Sequence, residues 1–190
     1  AYELAAIYRG KGIPTVLGGI HASMVPDEAK RFVDVVVSGE VESVWKQVIS
    51  DFESGDLKPI YKGELLPFEN AVYPARHLFH EKYQFASIQT TRGCPMMCDF
   101  CSVHEFNGNK YRERPIGEVL DELETIEHEK IYFVDDNLIG YGKKSERRAI
   151  SLFKGMIERG IKKQWFCSAS MNFADNEEVL ELAAKAGLYP

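Results

Sequence analysis

The stretch TRGCPMMCDFC, residues 91–101, places three cysteines within eight positions, and it determines how the rest of the chain is interpreted. Cys94, Cys98 and Cys101 follow the spacing C-x3-C-x2-C. Thiolates at these separations on one loop can converge on a compact cluster. Three ligands leave one iron of a four-iron cube open, and an open metal position is the kind that binds and activates a small molecule. The stretch therefore predicts a metal or cluster site, since a disulfide framework spreads its cysteines along the chain.

After about residue 83 the chain alternates between strand and helix patterns, which predicts three βα units in order. An eight-unit barrel alone takes about 200 residues or more, so three units form only part of a barrel. The cysteines lie in a long loop, 91–114, directly after the first strand, where α/β enzymes keep their active sites. The predicted strands are 85–90, 131–134 and 164–170, and the predicted helices are 115–128, 145–159 and 176–186.

The first 55 residues also alternate between helix and strand, which indicates parallel strands covered by helices. Only two strands are predicted there, fewer than an open sheet usually needs, so the segment resembles the last part of a doubly wound domain. Prolines and an irregular apolar pattern mark the next residues as a linker. The predicted domains are 1–55, 56–82 and 83–190. Within the first of them, helices are expected over 2–9, 26–32 and 41–52, and strands over 13–17 and 33–37.

Composition narrows the class of protein. The chain has 190 residues with 23 Lys and Arg against 29 Asp and Glu, a formal charge of −6, which is unlike a nucleic-acid binder with its basic stripe. No apolar run approaches the ~18 residues of a membrane span, and no secretory signal is visible. We therefore expect a cytoplasmic protein, where the clustered thiols stay reduced. Because the first residue is Ala1, we expect a processed start or a piece of a longer protein.

A structural zinc site is the main alternative interpretation of the cysteines. His104 follows Cys101 by three positions, so Cys94, Cys98, Cys101 and His104 form a candidate Cys3His set for a non-enzymatic interaction module. Small zinc modules usually stand alone and need the metal to fold, whereas this loop lies within a βα series. Unligated surface thiols are a second alternative, but cysteines at this density would oxidise.

The cysteine stretch resembles the signature of the radical S-adenosylmethionine (SAM) superfamily, C-x3-C-x-aromatic-C, with Phe100 in the aromatic slot and Thr-Arg-Gly-Cys-Pro at its start. The resemblance implies a 4Fe–4S cluster on the three cysteines, with SAM on the fourth iron. It further implies reductive cleavage of SAM to methionine and a 5′-deoxyadenosyl radical that abstracts hydrogen from a substrate. A reductant such as flavodoxin or ferredoxin would supply the electron, and Phe100 is expected to pack near the adenine.

The resemblance extends to the end of the second strand of the series. Asp135, Asp136 and Asn137 stand where the superfamily commonly has a Gly-Gly-Glu-like segment touching the methionine amino group, and they resemble a variant from a cobalamin-associated branch. Carboxylate and amide oxygens suit an ammonium group. The alternative is that Asp135 and Asp136 cap the following turn.

Polar residues recur at every second position near the third strand. Ser168, Ser170 and Asn172 would share one face of that strand, and the resemblance implies SAM contact there. A polar outer face is the alternative. Cys167 would then point the other way, as a buried core thiol.

The segment 13–23 (IPTVLGGIHAS) resembles the end of a cobalamin-binding Rossmann-like domain. Gly18 and Gly19 match the glycine pair along which the nucleotide tail of the cofactor passes, although an ordinary strand-to-helix turn explains them equally. Two further family elements, Asp-x-His-x-x-Gly and Ser-x-Leu, are expected before residue 1, and His21 is interpreted as a surface or interdomain residue. The resemblance thus implies an α/β chain: the end of a cobalamin-type domain, then half of a radical SAM barrel.

Some members of this branch methylate unactivated carbons, including those of hopanoid lipids, so the implied reaction is a radical modification such as methyl transfer through cobalamin. The expected substrate is a small or lipid-like molecule, without nucleic acid. Exposed strand edges in both modules predict oligomerisation or strand swapping.

Overall fold

The computed structural model describes residues 1–79 and 83–189. The end of the predicted linker, 80–82, and residue 190 lie outside the described residues. The described chain divides into two compact units. The first unit comprises residues 1–66 and 105–108, and the second comprises 67–104 and 109–190. The assignment of 1–55, 56–82 and 83–190 to separate domains stays a prediction.

The elements of both units are named here in chain order. The strands are β1 Val16–Leu17, β2 Val35–Ser38, β3 Ile60–Lys62, β4 Ala86–Ile88, β5 Thr91–Arg92, β6 Arg112–Glu113, β7 Lys130–Phe133 and β8 Gln164–Cys167. The α-helices are α1 Tyr2–Arg9, α2 Ile20–Met24, α3 Pro26–Ala29, α4 Trp45–Ser54, α5 Val103–Asn107, α6 Ile116–Thr125, α7 Lys143–Glu158 and α8 Glu177–Lys185. Three short 3-10 helices occupy Val41–Ser43, Arg76–Leu78 and Met171–Asp175.

The first unit contains a parallel sheet in the order β1-β2-β3. The central strand β2 is buried on both faces, as a parallel strand between helical layers should be. Val36 packs with Ala5, Ala22 and Ala29 on one side, whereas Val35 and Val37 pack with Val48 and Tyr61 on the other. The expectation of only two strands is wrong, because β3 lies inside the segment interpreted as a linker and pairs with β2.

A close backbone approach follows β2. Gly39 has a φ of +87°, and a Cβ added to it would lie 2.4 Å from the carbonyl oxygen of Gly63. Gly12 has a similar φ of +72°, but a Cβ there would meet nothing within 4 Å. The two positions therefore share backbone strain and differ in steric room.

This difference predicts two unequal alanine effects. We expect Gly12→Ala to lower the free energy of unfolding by about 1 kcal/mol through backbone strain alone. Gly39→Ala should cost about 2–3 kcal/mol, because the clash adds to the same strain. Urea denaturation of both variants tests this. Equal losses would show that Gly63 moves aside at no cost.

The second unit contains a parallel sheet in the order β4-β7-β8, with helices α6, α7 and α8 packed on one face. Phe133, Phe153 and Trp165 are fully buried at the centre of this core. The Trp165 ring stacks on Phe153 at a centroid distance of 5.1 Å, and its indole N–H donates to the carbonyl oxygen of Ala186 at 2.9 Å. The three predicted βα units are therefore confirmed, as is the mixed α/β class with parallel sheets.

Two local predictions in this unit are wrong. The segment 91–114, predicted as a long loop, also contains α5 and the antiparallel pair β5–β6. The third strand, predicted over 164–170, ends at Cys167 instead. Among the described helices, none combines the length and the apolar composition that crossing a bilayer would require.

Candidate functional site

The three parallel strands of the second unit end at one edge of the sheet. The cysteine segment follows β4 and the short β5, the residues Asp135, Asp136 and Asn137 follow β7, and Ser168 follows β8. Because the carboxyl ends of parallel strands meet at the same edge, residues far apart in sequence come together there. The predicted site residues of this unit therefore share one edge of the sheet.

The three clustered cysteines are free thiols and are half-buried. The amide of Cys101 donates to the carbonyl oxygen of Cys98 at 3.0 Å, which closes a turn between these two residues. Within residues 1–79 and 83–189, no three His, Cys, Asp or Glu side chains are arranged to hold a metal ion. Cys94, Cys98, Cys101 and His104 are therefore not gathered around a single ion position, as a Cys3His zinc site requires.

The donor set itself fits an iron–sulfur cluster. Three thiols on one loop supply the soft thiolate ligands that Fe–S clusters use, and none is consumed in a disulfide. Cys94, Cys98 and Cys101 are therefore the residues that would hold such a cluster.

A buried carboxylate holds the two threonines that directly precede the cysteine segment. Asp135 is 2% exposed and accepts hydrogen bonds from the amides and hydroxyls of Thr90 and Thr91. The hydroxyl of Thr91 lies 2.6 Å from Oδ1, and that of Thr90 lies 2.9 Å from it. Asp135 thus ties the end of β7 to the two residues that lead into the cysteines.

Arg148 of α7 also binds the backbone that leads into the cysteine segment. Its guanidinium donates to the carbonyl oxygens of Thr90 at 3.1 Å and of Arg114 at 3.2 Å. Burial raises the pKa of Asp135, whereas the hydrogen bonds from Thr91 and Thr90 and the charge of Arg148 oppose that rise. Burial also lowers the pKa of Arg148, against the attraction of Asp135. The carboxylate and the guanidinium therefore support each other in a largely dry environment.

A second set of hydrogen bonds joins the ends of β7 and β8. The side-chain amide of Asn137 donates to the Ser170 hydroxyl at 2.5 Å, and its carbonyl oxygen accepts from the Ser170 amide at 3.1 Å. The amide of Leu138 donates to the carbonyl oxygen of Ser168 at 2.9 Å. Asn137 is 5% exposed and Ser170 is half-buried, and these bonds define the spacing of the two strand ends.

These hydrogen bonds predict a moderate loss of stability when the side-chain amide of Asn137 is removed. We expect Asn137→Ala to lower the free energy of unfolding by about 1–3 kcal/mol, because the half-buried amide of Ser170 loses its acceptor. The matched control is Ser168→Ala, since Ser168 is exposed and contributes only its backbone carbonyl. Chemical denaturation measures both, and a similar small effect in each would contradict a structural role for Asn137.

The prediction that Ser168, Ser170 and Asn172 share one face of a strand is wrong. Ser168 and Ser170 lie beyond the end of β8, and Asn172 lies in the 3-10 helix Met171–Asp175. The ladder stops because the Ser168 carbonyl bonds instead to Leu138. The side chain of Asn172 donates to the carbonyl oxygen of Gly140 at 3.1 Å.

The remaining predicted positions of this unit differ in burial. Phe100 is 94% exposed, so its packing against an adenine stays a prediction. Asp136 is exposed, whereas the carboxylate of Asp135 is directed at the threonines, and contact of Asp135, Asp136 or Asn137 with SAM stays a prediction. Cys167 packs against the helical core but is half-buried, whereas a buried thiol was expected, and burial raises the pKa of its thiol to about 11.

Gly18 and Gly19 lie at the carboxyl end of β1, in the first unit. Gly19 is the residue before α2 and has a φ of +93°. His21 in α2 is exposed, as expected, and its ring lies 2.8 Å from the hydroxyl of Tyr2. The glycine pair therefore forms a strand-to-helix turn, and its contact with cobalamin stays a prediction.

Sequence reasoning missed Thr90, Thr91 and Arg148. Thr90 and Thr91 stand between a predicted strand and the cysteines, and that position was the available signal. No pattern in the sequence singles out Arg148, because its place depends on the packing of α7.

A parallel βα sheet whose first strand leads into three free thiols is the arrangement expected of an α/β protein with a thiolate-ligated site. A family model described as the radical SAM superfamily matches residues 88–189. Because this match covers more than half of the chain, the chain belongs to the radical SAM superfamily. This membership favours the iron–sulfur interpretation over the Cys3His zinc module.

Curated relatives extend the similarity to the first unit. The chain is 33% identical to a bacteriochlorophyllide d C-12(1)-methyltransferase of Chlorobaculum tepidum over 98% of its own length and 42% of the relative's. It is 30% identical to a hopanoid C-2 methylase of Rhodopseudomonas palustris, over 92% of its length and 35% of that protein's. The chain therefore spans less than half the length of these relatives.

Two solved structures share the fold. The cobalamin-dependent SAM radical enzyme OxsB, with aqua-cobalamin and SAM bound, matches with a TM-score of 0.76 at 18% identity, covering 97% of this chain and 32% of OxsB. The radical SAM methyltransferase TsrM from Kitasatospora setae, with tryptophan and a SAM analogue bound, matches with a TM-score of 0.75 at 20% identity. That match covers 98% of this chain and 42% of TsrM.

Proposed function

We propose that this chain is the cluster-bearing part of a radical SAM methyltransferase that works with cobalamin. The observation that carries the proposal is the set of three free thiols at the carboxyl edge of the β4-β7-β8 sheet, inside the region that the radical SAM family model matches. The methyltransferase relatives support methyl transfer as the reaction class. A 4Fe–4S cluster held by the three cysteines would supply the electron for cleavage of SAM to methionine and a 5′-deoxyadenosyl radical.

The residues of the chain have distinct parts in this proposal. Cys94, Cys98 and Cys101 hold the cluster and leave one iron for SAM. The exposed carboxylate of Asp136 would accept hydrogen bonds from the methionine ammonium group. Asn137 also follows β7, and its side-chain oxygen, which already accepts from the Ser170 amide, would be a second acceptor. Asp135 supports them indirectly by holding Thr90 and Thr91.

Residues on the third strand end complete the proposed SAM site. Ser168 and Ser170 follow β8 at the cysteine edge, and Asn172 is fixed to Gly140. Hydroxyl and amide groups suit the ribose and carboxylate of SAM. Phe100, with its ring exposed, is available to cover the adenine.

The first unit is proposed as the end of a cobalamin-binding domain. Gly18 and Gly19 at the carboxyl end of β1 offer a turn without side chains, along which a nucleotide tail could pass. The second unit would then be half of a barrel. The similarity to OxsB and TsrM supports this arrangement.

The proposal includes the partners that such chemistry needs. A one-electron reductant of the flavodoxin or ferredoxin type supplies the electron, and a small or lipid-like molecule accepts the methyl group. A thiol-ligated cluster requires a reducing compartment, which supports a cytoplasmic location. Open strand edges support self-association of the chain, which light scattering would detect; a monomer at high concentration would contradict that part.

Release of 5′-deoxyadenosine tests the proposed chemistry. The chain is reconstituted with iron and sulfide without air, mixed with SAM and dithionite, and analysed by chromatography. We expect 5′-deoxyadenosine and methionine from the wild-type chain and neither from Cys98→Ala. One zinc per chain and no SAM cleavage would support the zinc module instead.

A further inference from the structure

Tyr111 stands beside the first cysteine of the cluster motif. The antiparallel register pairs Thr91 with Glu113 and Arg92 with Arg112. Continued by one residue, this register sets Tyr111 opposite Gly93, directly before Cys94. The side chain of Tyr111 is therefore anchored next to a cluster ligand by backbone pairing and not by a flexible loop.

The Tyr111 hydroxyl is buried, and it has no hydrogen-bond partner among the residues that the structure describes. Buried donors in proteins are almost always satisfied, so an unsatisfied one points to a partner that arrives later. The Cys94 side chain lies close enough to the Tyr111 hydroxyl to interact with it, and a phenol hydroxyl is a hydrogen-bond donor.

The ring of Tyr111 is held in place by a residue without a side chain. A Cβ added to Gly140 would lie 2.3 Å from Cε2 of Tyr111 and 2.8 Å from its hydroxyl oxygen. The carbonyl oxygen of Gly140 in turn accepts a hydrogen bond from Asn172 at 3.1 Å. The position of the ring is thus set by the segments that follow β7 and β8.

We propose that Tyr111 is a positioning residue that donates a hydrogen bond to the Cys94 sulfur when that sulfur is a cluster ligand. The inference rests on the proposed iron–sulfur function. Hydrogen bonds to cluster sulfurs stabilise the more negative, reduced state and so raise the reduction potential. Tyr111 would therefore ease the entry of the electron on which SAM cleavage depends.

The test is the midpoint potential of the reconstituted cluster, measured by dye-mediated titration. We expect Tyr111→Phe to keep a full complement of iron and to lower the ratio of reduced to oxidised cluster at a fixed potential by about three- to tenfold. A tenfold change equals 59 mV for a one-electron couple. The control is Tyr141→Phe, which removes the hydroxyl of a 54% exposed tyrosine and should leave the potential unchanged.

A second variant reaches the same hydrogen bond without removing the hydroxyl. Gly140→Ala should displace the ring and lower the potential in the same direction. Combined with Tyr111→Phe, it should add no further shift, because both changes remove one interaction. If Tyr111→Phe binds iron poorly, the reduction potential of the Gly140→Ala variant still tests the proposed hydrogen bond.

The outcomes separate the inference from the proposed function. Absence of a cluster in the wild-type chain would overturn the proposed function. A normal cluster in Tyr111→Phe with an unchanged potential would overturn only the role of Tyr111. Additive shifts in the double variant would also overturn it, because they would show that Gly140 acts on the cluster by another route.

Discussion

Replacing any one of Cys94, Cys98 and Cys101 with alanine is expected to abolish cluster assembly. Three thiolates are the smallest protein set that holds a four-iron cube with one open corner, so two should not retain it. The wild-type chain, reconstituted without air, should carry about four iron atoms and a broad absorbance near 400 nm that bleaches with dithionite. Each variant should lose most of that iron and absorbance.

Cys167→Ala is the matched control for these substitutions. Cys167 packs against the helical core, and burial raises the pKa of its thiol to about 11, so the thiol stays protonated at neutral pH. Iron prefers a thiolate, and Cys167 is therefore unsuited to ligation. The control should keep the iron content of the wild type. Iron retained by all three single variants would contradict the assignment of the ligands.

Asp135→Ala is expected to cause the largest loss of stability. The substitution leaves the amides and hydroxyls of Thr90 and Thr91 without their acceptor. It also leaves Glu113, whose carboxylate lies 4.0 Å from the guanidinium, as the remaining carboxylate beside the buried charge of Arg148. Removing one member of a buried charged network costs about 3–5 kcal/mol. Guanidinium denaturation of the apoprotein should show a loss of this size.

Two further variants make this prediction decisive. Asp136→Ala is the control, because Asp136 is exposed and removing its carboxylate should therefore cost clearly less than removing the buried carboxylate of Asp135. Asp135→Asn keeps the shape but presents an NH2 group to donors, so it should lie between the wild type and the alanine variant. If Asp135→Ala does not fold, the stability of Asp135→Asn tests the same prediction. A loss below 1 kcal/mol in Asp135→Ala would contradict the anchoring role.

The three βα units could be predicted because their apolar residues recur at local spacings. Val119, Leu120 and Leu123 lie on one face of α6, and that face is buried in the structure. Strand β3 could not be predicted in this way. Its three residues carry no period of their own, and they become a strand because β2 offers an open edge across a long sequence separation.

The candidate site was predictable in its residues but not in its connections. Asp135 follows a predicted strand, yet its partners Thr90 and Thr91 lie 45 and 44 positions away. Their meeting depends on the pairing of β4 with β7, which a local pattern does not encode. The prediction that Ser168 and Ser170 lie on one face of a strand was wrong for the same reason. The Ser168 carbonyl accepts a hydrogen bond from the Leu138 amide, and the Ser170 amide donates to the Asn137 side chain.

The response of the reduced cluster to SAM tests the central claim most directly. The reconstituted chain is reduced without air, and its electron paramagnetic resonance spectrum is recorded before and after addition of SAM. An open iron corner predicts a cluster signal whose g-values and line shape change when SAM binds. A colourless chain with one zinc, or a cluster signal that SAM leaves unaltered, would contradict the account.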